Sequence, residues 1–291
     1  MQKHIYRRHF LQGTLACSII PVLPAWGASS ITRELELLEH SSNRTIGLWA
    51  LDTGNGRSLA YRAEERFPFC STFKIILAGA ILHQSETEAS LLERRIHYGS
   101  DQLVVYSPIT EKHVATGMTV AELCAAAIQY SDNTAGNLLL ALVGGPVGLT
   151  SFARTNGDPV FRLDRTEPGL NSALLGDPRD TSTPLAMGTL VQRLVLTDHL
   201  TSASRQILQN WLKGNTTGAS RIRAGVPQHW VVGDKTGSGD YGVANDIATI
   251  WPEGRAPWIL GVFTRGVEKA APLNSEVITA ATRLVVSTWK N

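Results

Sequence analysis

Cysteine is scarce in this sequence of 291 residues, and the common metal-binding motifs are missing from it. Beyond residue 20 the only cysteines are Cys70 and Cys124. They are too few for a disulfide framework, so the fold has to depend on a hydrophobic core. No H-E-x-x-H or C-x-x-C motif occurs, and the eight histidines are scattered. We therefore expect no metal centre and no cofactor.

A strong excess of charge of one sign is also missing. The formal net charge is +2, and Lys3, Arg7 and Arg8 at the extreme N-terminus account for more than that excess. Without these three positive charges the rest of the chain carries −1, whereas nucleic-acid binding requires a basic surface. We expect no nucleic-acid partner, and we expect a monomer that binds a small molecule.

Residues 1–28 are predicted to be an export signal. The basic start is followed by an apolar run at 15–23, which is too short to span a bilayer, and then by small residues. The sequence R-R-H-F-L at 7–11 favours the twin-arginine type over an ordinary secretory signal that happens to carry two arginines. Cys17 is a candidate lipid acceptor, but the T-L-A before it is a poor match for that role.

No second long apolar run follows the predicted signal. A transmembrane helix needs about 20 consecutive apolar residues. We therefore expect a periplasmic or secreted protein with no membrane anchor in its mature form.

Hydrophobic periodicity predicts strands near both ends of the chain and helices between them. The predicted strands cover 45–51, 58–61, 229–236, 243–251 and 257–265. The predicted helices cover 31–40, 72–82, 119–130, 134–143, 183–196, 202–213 and 273–290. The Gly-Gly-Pro sequence at 144–146 is predicted to end the helix before it.

This order of elements predicts the α+β fold class, as an α/β-type sandwich. We expect an antiparallel sheet of about five strands, built from both termini and flanked by helices. An all-α domain is inserted, with the active site between the two parts. The predicted domains are 29–63 together with 215–291, which form the α/β domain, and 64–214, which forms the all-α domain. The Pro- and Gly-rich stretch at 162–181 is predicted to be a long ordered loop, and such loops are usually functional.

A serine and a lysine three residues apart, Ser71 and Lys74, are the first candidates for catalysis. That spacing on a helix places both side chains on the same face. A serine hydroxyl is a poor nucleophile until a neighbour takes its proton. A lysine takes it when burial or a like charge destabilises the ammonium form. On its own, however, an S-x-x-K motif is more often a pair on a helix surface.

Two further motifs follow in order along the chain. The S-D-N sequence at 131–133 lies at a break between two predicted helices, where such a tripeptide is more often a helix stop and N-cap. The K-T-G sequence at 235–237 ends a predicted strand, where a lysine is usually a charge on the sheet edge. Each motif is weak alone. Together with S-x-x-K, in this order, they are the set shared by class A β-lactamases and penicillin-binding proteins.

From about Ile31 to its C-terminus the chain resembles the class A serine β-lactamases. Besides the three motifs, the sequence R-T-E-P-G-L-N at 165–171 resembles the active-site loop of that family. Asp180 matches the far end of the loop, where the resemblance implies a pair with Arg165. Tyr106, in a Y-S-P sequence, resembles the aromatic rim of the cleft. The resemblance implies hydrolysis of the β-lactam amide of penicillins and cephalosporins, and hence antibiotic resistance.

The resemblance also implies the catalytic roles. Ser71 would attack the lactam carbonyl and form an acyl-enzyme, and the backbone N–H groups of Ser71 and Ser238 would form the oxyanion hole. Glu167 and Asn171 would hold the water that Glu167 activates to release the acyl group. Whether Lys74 or Glu167 is the base in acylation stays open.

The remaining candidates would bind the substrate or move a proton. Ser131 would pass a proton to the leaving nitrogen. Lys235, Thr236 and Arg221 would bind the substrate carboxylate, and Asn133 would bind the amide side chain. The full set of predicted substrate-binding residues is Tyr106, Asn133, Arg221, Lys235, Thr236, Gly237 and Ser238.

The chain departs from the family pattern on the strand at 243–251. Ala244 stands where many members carry a carboxylate-binding arginine, and Arg221 matches the alternative source that other members use. The alternative interpretation of Arg221 is a surface arginine. Arg223 is expected to be structural and to pair with Asp234.

Both cysteines beyond the predicted signal are expected to be free and buried. Some carbapenem-hydrolysing relatives bond a cysteine matching Cys70 to one just after the K-T-G motif, but here that position is Gly239. Many relatives pair a cysteine matching Cys124 with one on the nucleophile helix, where this chain has Ala78. Ser238 resembles the residue in carbapenem-hydrolysing relatives, which leaves that activity open.

Three alternative interpretations fit the motifs less well. The sequence at 237–242 spells G-x-G-x-x-G, but a predicted strand follows it where a dinucleotide site requires a helix. A penicillin-binding D,D-peptidase would share S-x-x-K and K-T-G but would lack a water-activating Glu167. A non-catalytic β-lactam sensor domain would require a transmembrane anchor, which the sequence does not show.

Overall fold

The computed structural model describes residues 26–290, so the twin-arginine sequence and Cys17 lie outside the described residues. The α-helices are α1 Trp26–Ser42, α2 Lys74–Ser85, α3 Val120–Gln129, α4 Asn133–Leu142, α5 Gly145–Thr155, α6 Pro184–Leu196, α7 Ser202–Lys213, α8 Ile222–Gly225 and α9 Ser275–Lys290. The strands are β1 Thr45–Asp52, β2 Ser58–Tyr61, β3 Phe67–Pro68, β4 Arg95–Ile96, β5 Met118–Thr119, β6 Thr181–Ser182, β7 Val231–Gly239, β8 Val243–Trp251 and β9 Trp258–Arg265. Short 3-10 turns lie at Cys70–Phe73, Ser100–Gln102, Thr110–Lys112 and Gly169–Ser172.

One antiparallel sheet joins the two ends of the chain in the strand order β2-β1-β9-β8-β7. This confirms the predicted sheet of about five strands built from both termini. Side chains alternate along each strand between two buried faces. Trp49 and Ile247 belong to one core cluster, and the next residues, Ala50 and Ala248, belong to another. Helices α1 and α9 pack on one face and α6 packs on the other.

Helix α2 lies at the centre of the helical part. Its residues 74–82 are all buried, as the apolar composition of this stretch predicts. The helix contacts α3, α4, α5, α6 and α7. Its N-terminus, which follows the turn that carries Ser71, is therefore held from several sides.

Helix α6 packs closely on the sheet because Gly188 has no side chain. A Cβ atom at this position would lie 2.2 Å from Cε3 of Trp49 in β1, which is far inside a normal contact distance. A larger residue would push the helix away from the sheet, so this glycine sets the distance between the helical part and β1.

The helix before 144–146 ends there as predicted, since α4 stops at Leu142. A further helix that was not predicted, α5, begins at Gly145 with Pro146 in its first turn. Proline fits there because the N–H that it lacks has no partner inside a helix. Gly144 has a φ of +85°, which turns the chain between α4 and α5. The predicted helix at 273–290 begins only at Ser275.

The strand that carries the K-T-G motif is also longer than predicted. It runs from Val231 to Gly239 where 229–236 was expected, so the motif lies inside β7. The helical part contains two short ladders, β3 with β6 and β4 with β5, which the all-α interpretation missed. The strand β8 directly after the G-x-G-x-x-G sequence is confirmed, which removes the dinucleotide interpretation.

Among the described residues, no single helix is long and apolar enough to cross a membrane. Helices α4 and α5 reach that length and composition only as a pair, and a bend of 71° separates them.

The N-cap of α6 generates a stability prediction. The hydroxyl of Thr183 accepts a hydrogen bond from the backbone N–H of Ala186 at 3.2 Å. We expect Thr183→Ala to lower the free energy of unfolding by about 1 kcal/mol, because the cap acceptor is lost. Urea denaturation followed by circular dichroism measures this. Thr189→Ala, at an exposed position inside the same helix, is the matched control, and an equal loss in both variants contradicts the prediction.

Candidate active site

Ser71 lies in a tight turn that leads into α2. The residue before it, Cys70, has a φ of +47°, so the backbone turns sharply at this point. The segment is held from two sides. The N–H of Phe69 donates to the carbonyl of Asp180 at 3.2 Å, and the side-chain amide of Asn245 donates to the carbonyl of Pro68 at 2.7 Å. These contacts tie the nucleophile turn to the 162–181 loop and to β8.

Lys74 is fully buried and connects the catalytic candidates. Its Nζ lies 3.1 Å from Oγ of Ser71, 2.7 Å from Oδ1 of Asn133 and 3.0 Å from Oε1 of Glu167. It also donates to the carbonyl of Ser131 at 2.8 Å. Burial lowers the pKa of Lys74, and the charge of Glu167 opposes this shift. Burial therefore favours the neutral amine, which is the form that accepts a proton.

Glu167 is presented to Ser71 by the 162–181 loop. Its Oε1 accepts a hydrogen bond from the Ser71 hydroxyl at 2.8 Å, and its Oε2 accepts one from Nδ2 of Asn171 at 2.5 Å. The side chain of Asn137 in α4 bonds both the N–H and the carbonyl of Glu167, each at 2.9 Å. The expected pair between Arg165 and Asp180 is confirmed, with 2.5 Å between Nε and Oδ2.

The S-D-N sequence is both a helix N-cap and a part of the candidate active site. Asp132 is the N-cap of α4 and accepts from the N–H of Ala135 at 2.8 Å. Its other oxygen accepts from the N–H groups of Ile109 and Thr110, both at 2.9 Å. It thereby fixes the loop that carries Tyr106. Ser131 lies at the break between α3 and α4 and has a φ of +59°. Unlike Asp132, it lines the cavity.

Lys235 is buried although β7 is an edge strand, so the interpretation as an exposed edge charge was wrong. Its Nζ donates to Oγ of Ser131 at 2.9 Å. Burial, followed by the positive charge of Lys74, holds the pKa of Lys235 well below the usual lysine range. The two lysines therefore both bond Ser131, Lys74 at its carbonyl and Lys235 at its hydroxyl.

Gly237 lets β7 approach the nucleophile. A Cβ atom here would lie 2.6 Å from the carbonyl oxygen of Phe69 and 3.2 Å from the backbone nitrogen of Ser71. No other residue fits between the strand and the turn without moving one of them. The close approach brings the backbone at 237–238 beside the backbone of Ser71, as an oxyanion hole requires.

Arg221 is buried beside β7 and β8, which contradicts the surface interpretation. Its Nη1 donates to the carbonyls of Gly237 at 2.8 Å and Asn245 at 2.6 Å, and its Nη2 donates to Oγ of Ser238 at 2.7 Å. Ala244 pairs with Ser238 across the two strands. The guanidinium therefore lies next to Ala244, where the resemblance places an arginine in many members of that family.

Arg223 has a different partner, as expected. Its Nε lies 2.6 Å from Oδ1 of the fully buried Asp234. It also donates to the carbonyls of Leu212 and Lys213, which ties α8 to the end of α7. Its contacts are therefore structural.

The candidate residues surround one cavity of about 420 Å³. Its lining consists of Ser71, Tyr106, Ser131, Asn133, Asn171, Thr217, Arg221, Thr236, Gly237, Ser238 and Leu273. Lys74, Glu167 and Lys235 lie behind this lining and hydrogen-bond to it. Every residue that the sequence singles out for the site is thus in one place.

Three further residues belong to the site that the motifs did not reveal. Thr217 lines the cavity and its hydroxyl lies 2.6 Å from that of Thr236. Leu273 lines the cavity and is 53% exposed. Asn137 holds Glu167. Of these three, only Asn137 could have been found from the sequence, because it follows Asn133 by four residues and so shares its face of α4.

Both cysteines are free and buried, as expected. Sγ of Cys70 lies 2.8 Å from a Cβ built at Gly239, and its neighbours include Ala173 and Val243. Burial raises the pKa of both thiols, so neither is predisposed to react as a thiolate. Within residues 26–290 no cluster of three or more metal-ligating side chains occurs.

A serine hydroxyl that contacts both an amine and a carboxylate at the wall of a polar cavity defines the class of the protein: it is a serine hydrolase of the acyl-enzyme type. Known proteins similar to this chain give the family. Residues 30–289 match the model of the family described as "Beta-lactamase enzyme family".

Two relatives cover nearly the whole chain. Beta-lactamase CTX-M-8 of Citrobacter amalonaticus is 50% identical, over 98% of this chain and 99% of the relative. The carbapenem-hydrolyzing beta-lactamase KPC of Klebsiella oxytoca is 52% identical, over 97% of each chain. A solved structure, a beta-lactamase from Desulfarculus baarsii DSM 2075, has a TM-score of 0.88 and 56% identity over 89% of this chain and 97% of that one. The chain belongs to the class A serine β-lactamase family.

The contact between Cys70 and Gly239 generates a prediction. A cysteine at position 239 places its Sγ one bond beyond a Cβ that is already 2.8 Å from Sγ of Cys70. This is compatible with an S–S bond of about 2.0 Å. We expect Gly239→Cys, purified without residues 1–25, to form this disulfide on mild oxidation. Thiol titration in denaturant then finds two fewer thiols than in the reduced variant.

Ser238→Cys is the matched control, because the adjacent side chain of a strand points to the opposite face. Oxidation should leave its thiol count unchanged. A Gly239→Cys protein that keeps all its thiols after oxidation contradicts the geometry.

Proposed function

We propose that the cavity at Ser71 is where this β-lactamase hydrolyses the amide bond of penicillins and cephalosporins, and that the residues around it have the roles given below. The enzyme class and its consequence, β-lactam resistance, follow from the family. The observation that carries the assignment of roles is the position of the Glu167 carboxylate, which bonds both Ser71 and Asn171.

In acylation, Oγ of Ser71 attacks the lactam carbonyl carbon and its proton leaves to a base. Both candidate bases contact Oγ: Nζ of Lys74 at 3.1 Å and Oε1 of Glu167 at 2.8 Å. Breaking the C–N bond requires a proton on the leaving nitrogen. The Ser131 hydroxyl is the proposed donor, and Lys235 at 2.9 Å favours its deprotonated form. The proton that the base took from Ser71 then passes to Ser131, so that both the base and Ser131 return to their starting states.

The substrate is held from two ends. The backbone N–H groups of Ser71 and Ser238 are the proposed oxyanion hole. Lys235, Thr236 and Arg221 are proposed for the carboxylate. Lys235 lies behind the cavity lining, bonds the carbonyl of Thr236 and contributes its charge. We add Thr217 to these carboxylate-binding residues because its hydroxyl bonds that of Thr236. Asn133, Tyr106 and Gly237 lie on the cavity wall and are proposed to contact the remainder of the substrate.

In deacylation, Glu167 takes a proton from water, which attacks the ester carbonyl and frees Ser71. The amide group of Asn171 supports this role. Its Nδ2 donates to Oε2 of Glu167, while its Oδ1 is buried and has no hydrogen-bond partner among the described residues. That oxygen is available to accept from the same water.

Carbapenems are a second proposed substrate class. The observation that favours them is the Ser238 hydroxyl, which Arg221 holds at the cavity wall by a bond of 2.7 Å. One relative of 52% identity is named as carbapenem-hydrolyzing. Turnover of a carbapenem by the purified enzyme tests this proposal separately from the cephalosporin assay.

We also propose that the chain is exported to the periplasm or the medium under a twin-arginine signal. The sequence at 7–23 and the family support this. The near-neutral charge of the rest of the chain supports a protein without a nucleic-acid partner, and we propose that it acts as a monomer. We also propose the division into 29–63 with 215–291 and 64–214. One core cluster lies wholly within 29–63 and 215–291 and supports these ranges as one unit, whereas the other cluster joins residues of 64–214 to the facing side of the sheet.

The first prediction about function concerns Ser71 and Glu167. The wild-type enzyme should hydrolyse a chromogenic cephalosporin. Ser71→Ala should show no turnover, because the nucleophile is lost. Glu167→Ala should acylate and then stop, because nothing activates the water. Mass spectrometry of the intact protein should find the adduct, and peptide mapping should place it on Ser71.

The control for these variants is Glu253→Ala, which changes a carboxylate at an exposed position outside the cavity and should keep wild-type turnover. A wild-type enzyme that stays acylated for hours contradicts the proposal and favours a penicillin-binding D,D-peptidase.

The second prediction concerns the base in acylation and its dependence on pH. Among the described residues, Lys74 is the only amine or carboxylate left in contact with Oγ of Ser71 in Glu167→Gln. Only the neutral amine accepts a proton, so acylation should rise with pH through the pKa of Lys74 and level off above it. Burial lowers this pKa, and the Glu167 charge that opposes the shift is gone in the variant. The midpoint should therefore lie well below the usual lysine range.

Stopped-flow measurement of the single acylation event across the neutral and alkaline range gives this profile. Glu167→Gln combined with Lys74→Ala is the control, and it should lose the pH-dependent limb. A folded Glu167→Gln enzyme that does not acylate at any pH identifies Glu167 as the acylation base.

A further inference from the structure

The cavity at Ser71 has a mostly polar lining, and Leu273 is an exception to it. Among the residues that the structure describes, Tyr106 and Leu273 are the only large apolar side chains of this lining. Leu273 is 53% exposed and belongs to none of the core clusters. Core packing therefore does not account for a leucine here, whereas an apolar part of a ligand would cover it.

The two apolar residues are tied to different polar groups of the cavity. The carbonyl of Tyr106 accepts a hydrogen bond from the N–H of Asn133 at 3.0 Å. Leu273 comes two residues before Ser275, whose hydroxyl accepts from Nε of Arg221 at 3.3 Å, and two residues span at most about 7 Å. Leu273 therefore lies in the part of the cavity that contains Arg221, which the proposed function assigns to the substrate carboxylate.

The segment before Leu273 is held in place by distant parts of the chain. Nη2 of Arg44, at the end of the turn before β1, donates to the carbonyl of Pro272 at 2.7 Å. Gly242, in the turn between β7 and β8, lets this segment approach, because a Cβ atom there would lie 2.8 Å from the same carbonyl oxygen. Leu273 thus follows a residue whose backbone is fixed, and it is a built part of the cavity wall.

The chemistry of the substrates says which of their groups lies beside a bound carboxylate. In penicillins and cephalosporins the ring carbon that carries the carboxylate is bonded to a second substituted ring carbon, which we call the neighbouring carbon. It carries two methyl groups in penicillins and a variable group in cephalosporins. A substrate whose carboxylate is bound at Arg221 therefore brings the group on its neighbouring carbon to this part of the cavity.

We propose that Leu273 determines specificity for the group on the neighbouring carbon, and that it favours a neutral, apolar group there over a charged one. The leucine side chain contacts an apolar group and gains by covering it, but it offers nothing to a charge that has to give up water. This inference rests on the proposed function, because the place of the carboxylate is taken from it.

Two cephalosporins isolate the effect of charge. Cephalothin and cephaloridine share the ring system, the carboxylate and the thienylacetamido side chain. They differ only at the neighbouring carbon, which carries a neutral acetoxymethyl group in cephalothin and a pyridiniomethyl cation in cephaloridine. The ratio of their kcat/KM values therefore cancels every interaction that they share, including that of a new charge with the common carboxylate.

Leu273→Glu should raise the ratio of cephaloridine to cephalothin by about threefold, and Leu273→Lys should lower it by about threefold, because a unit charge acts on the cation across a short, solvated distance. The opposite signs of the two changes distinguish a direct interaction from a general disturbance of the cavity. Repeating the assays in about 1 M salt should remove most of both changes, since salt screens exposed charges.

The apolar contact has its own test. Nitrocefin carries the same thienylacetamido side chain and a large neutral aromatic group on the neighbouring carbon. Leu273→Ala should lower its kcat/KM by about threefold or more, mainly through a higher KM, because apolar contact area is lost. Leu273→Met keeps the size and the apolar character of the side chain and should stay within about twofold of wild type.

Val267→Glu and Val267→Lys are the matched controls. Val267 precedes Leu273 in the same connection between β9 and α9, is 62% exposed and does not line the cavity. These variants place the same charges on the same surface, and the ratio of the two cephalosporins should stay at its wild-type value.

Three outcomes overturn the inference and leave the proposed function intact, because the wild-type enzyme still turns over both cephalosporins. In the first, the charged variants of Leu273 leave the ratio unchanged. In the second, both move it in the same direction. In the third, the variants of Val267 move it as much as those of Leu273. A wild-type enzyme that turns over neither cephalosporin contradicts the proposed function itself.

Discussion

The contact between Lys74 and Glu167, at 3.0 Å and without solvent exposure, is the interaction on which the active site depends. An uncompensated charge in the interior is strongly unfavourable, so removal of either partner leaves the other in a costly state. The contact also joins separate parts of the chain. Lys74 comes from the start of α2, Glu167 from the 162–181 loop, and the carbonyl that Lys74 also bonds comes from Ser131. The same contact therefore pairs two buried groups and joins α2 to the 162–181 loop, which Asn137 and the pair of Arg165 and Asp180 also hold.

Much of this site was predictable from sequence because the chemistry dictates short spacings. Ser71 and Lys74 have to share a helix face, and their three-residue spacing predicts this directly. The five-stranded sheet was predictable for a similar reason, since strands buried on both faces are rich in apolar residues. The position of Arg221 beside Ala244 followed from the family pattern and not from any local signal.

The remainder depends on contacts between distant residues. Gly237 and Gly239 weaken the strand signal, because glycine is unfavourable in strands. The structure requires glycine at 237 because the backbone of the nucleophile turn lies against it. Lys235 suggested an exposed edge because no local sequence shows that α7, the nucleophile turn and Ser131 lie against β7. Thr217 and Leu273 lie in the cavity only because β7 and the segment before α9 meet there, and no motif marks such a meeting.

The sheet order has a consequence for how the chain folds. Strand β1 pairs with β9 through its whole length, from Thr45 opposite Arg265 to Asp52 opposite Trp258. The first strand therefore has no partner on one side until the last strand has left the ribosome. Contacts of such long sequence separation slow folding, because the chain entropy is lost before the pairing is gained. A chain that ends before β9 exposes an apolar strand edge, and such edges associate with one another. Residues 258–291, remote from the catalytic serine in sequence, thus decide whether the newly made protein folds or aggregates.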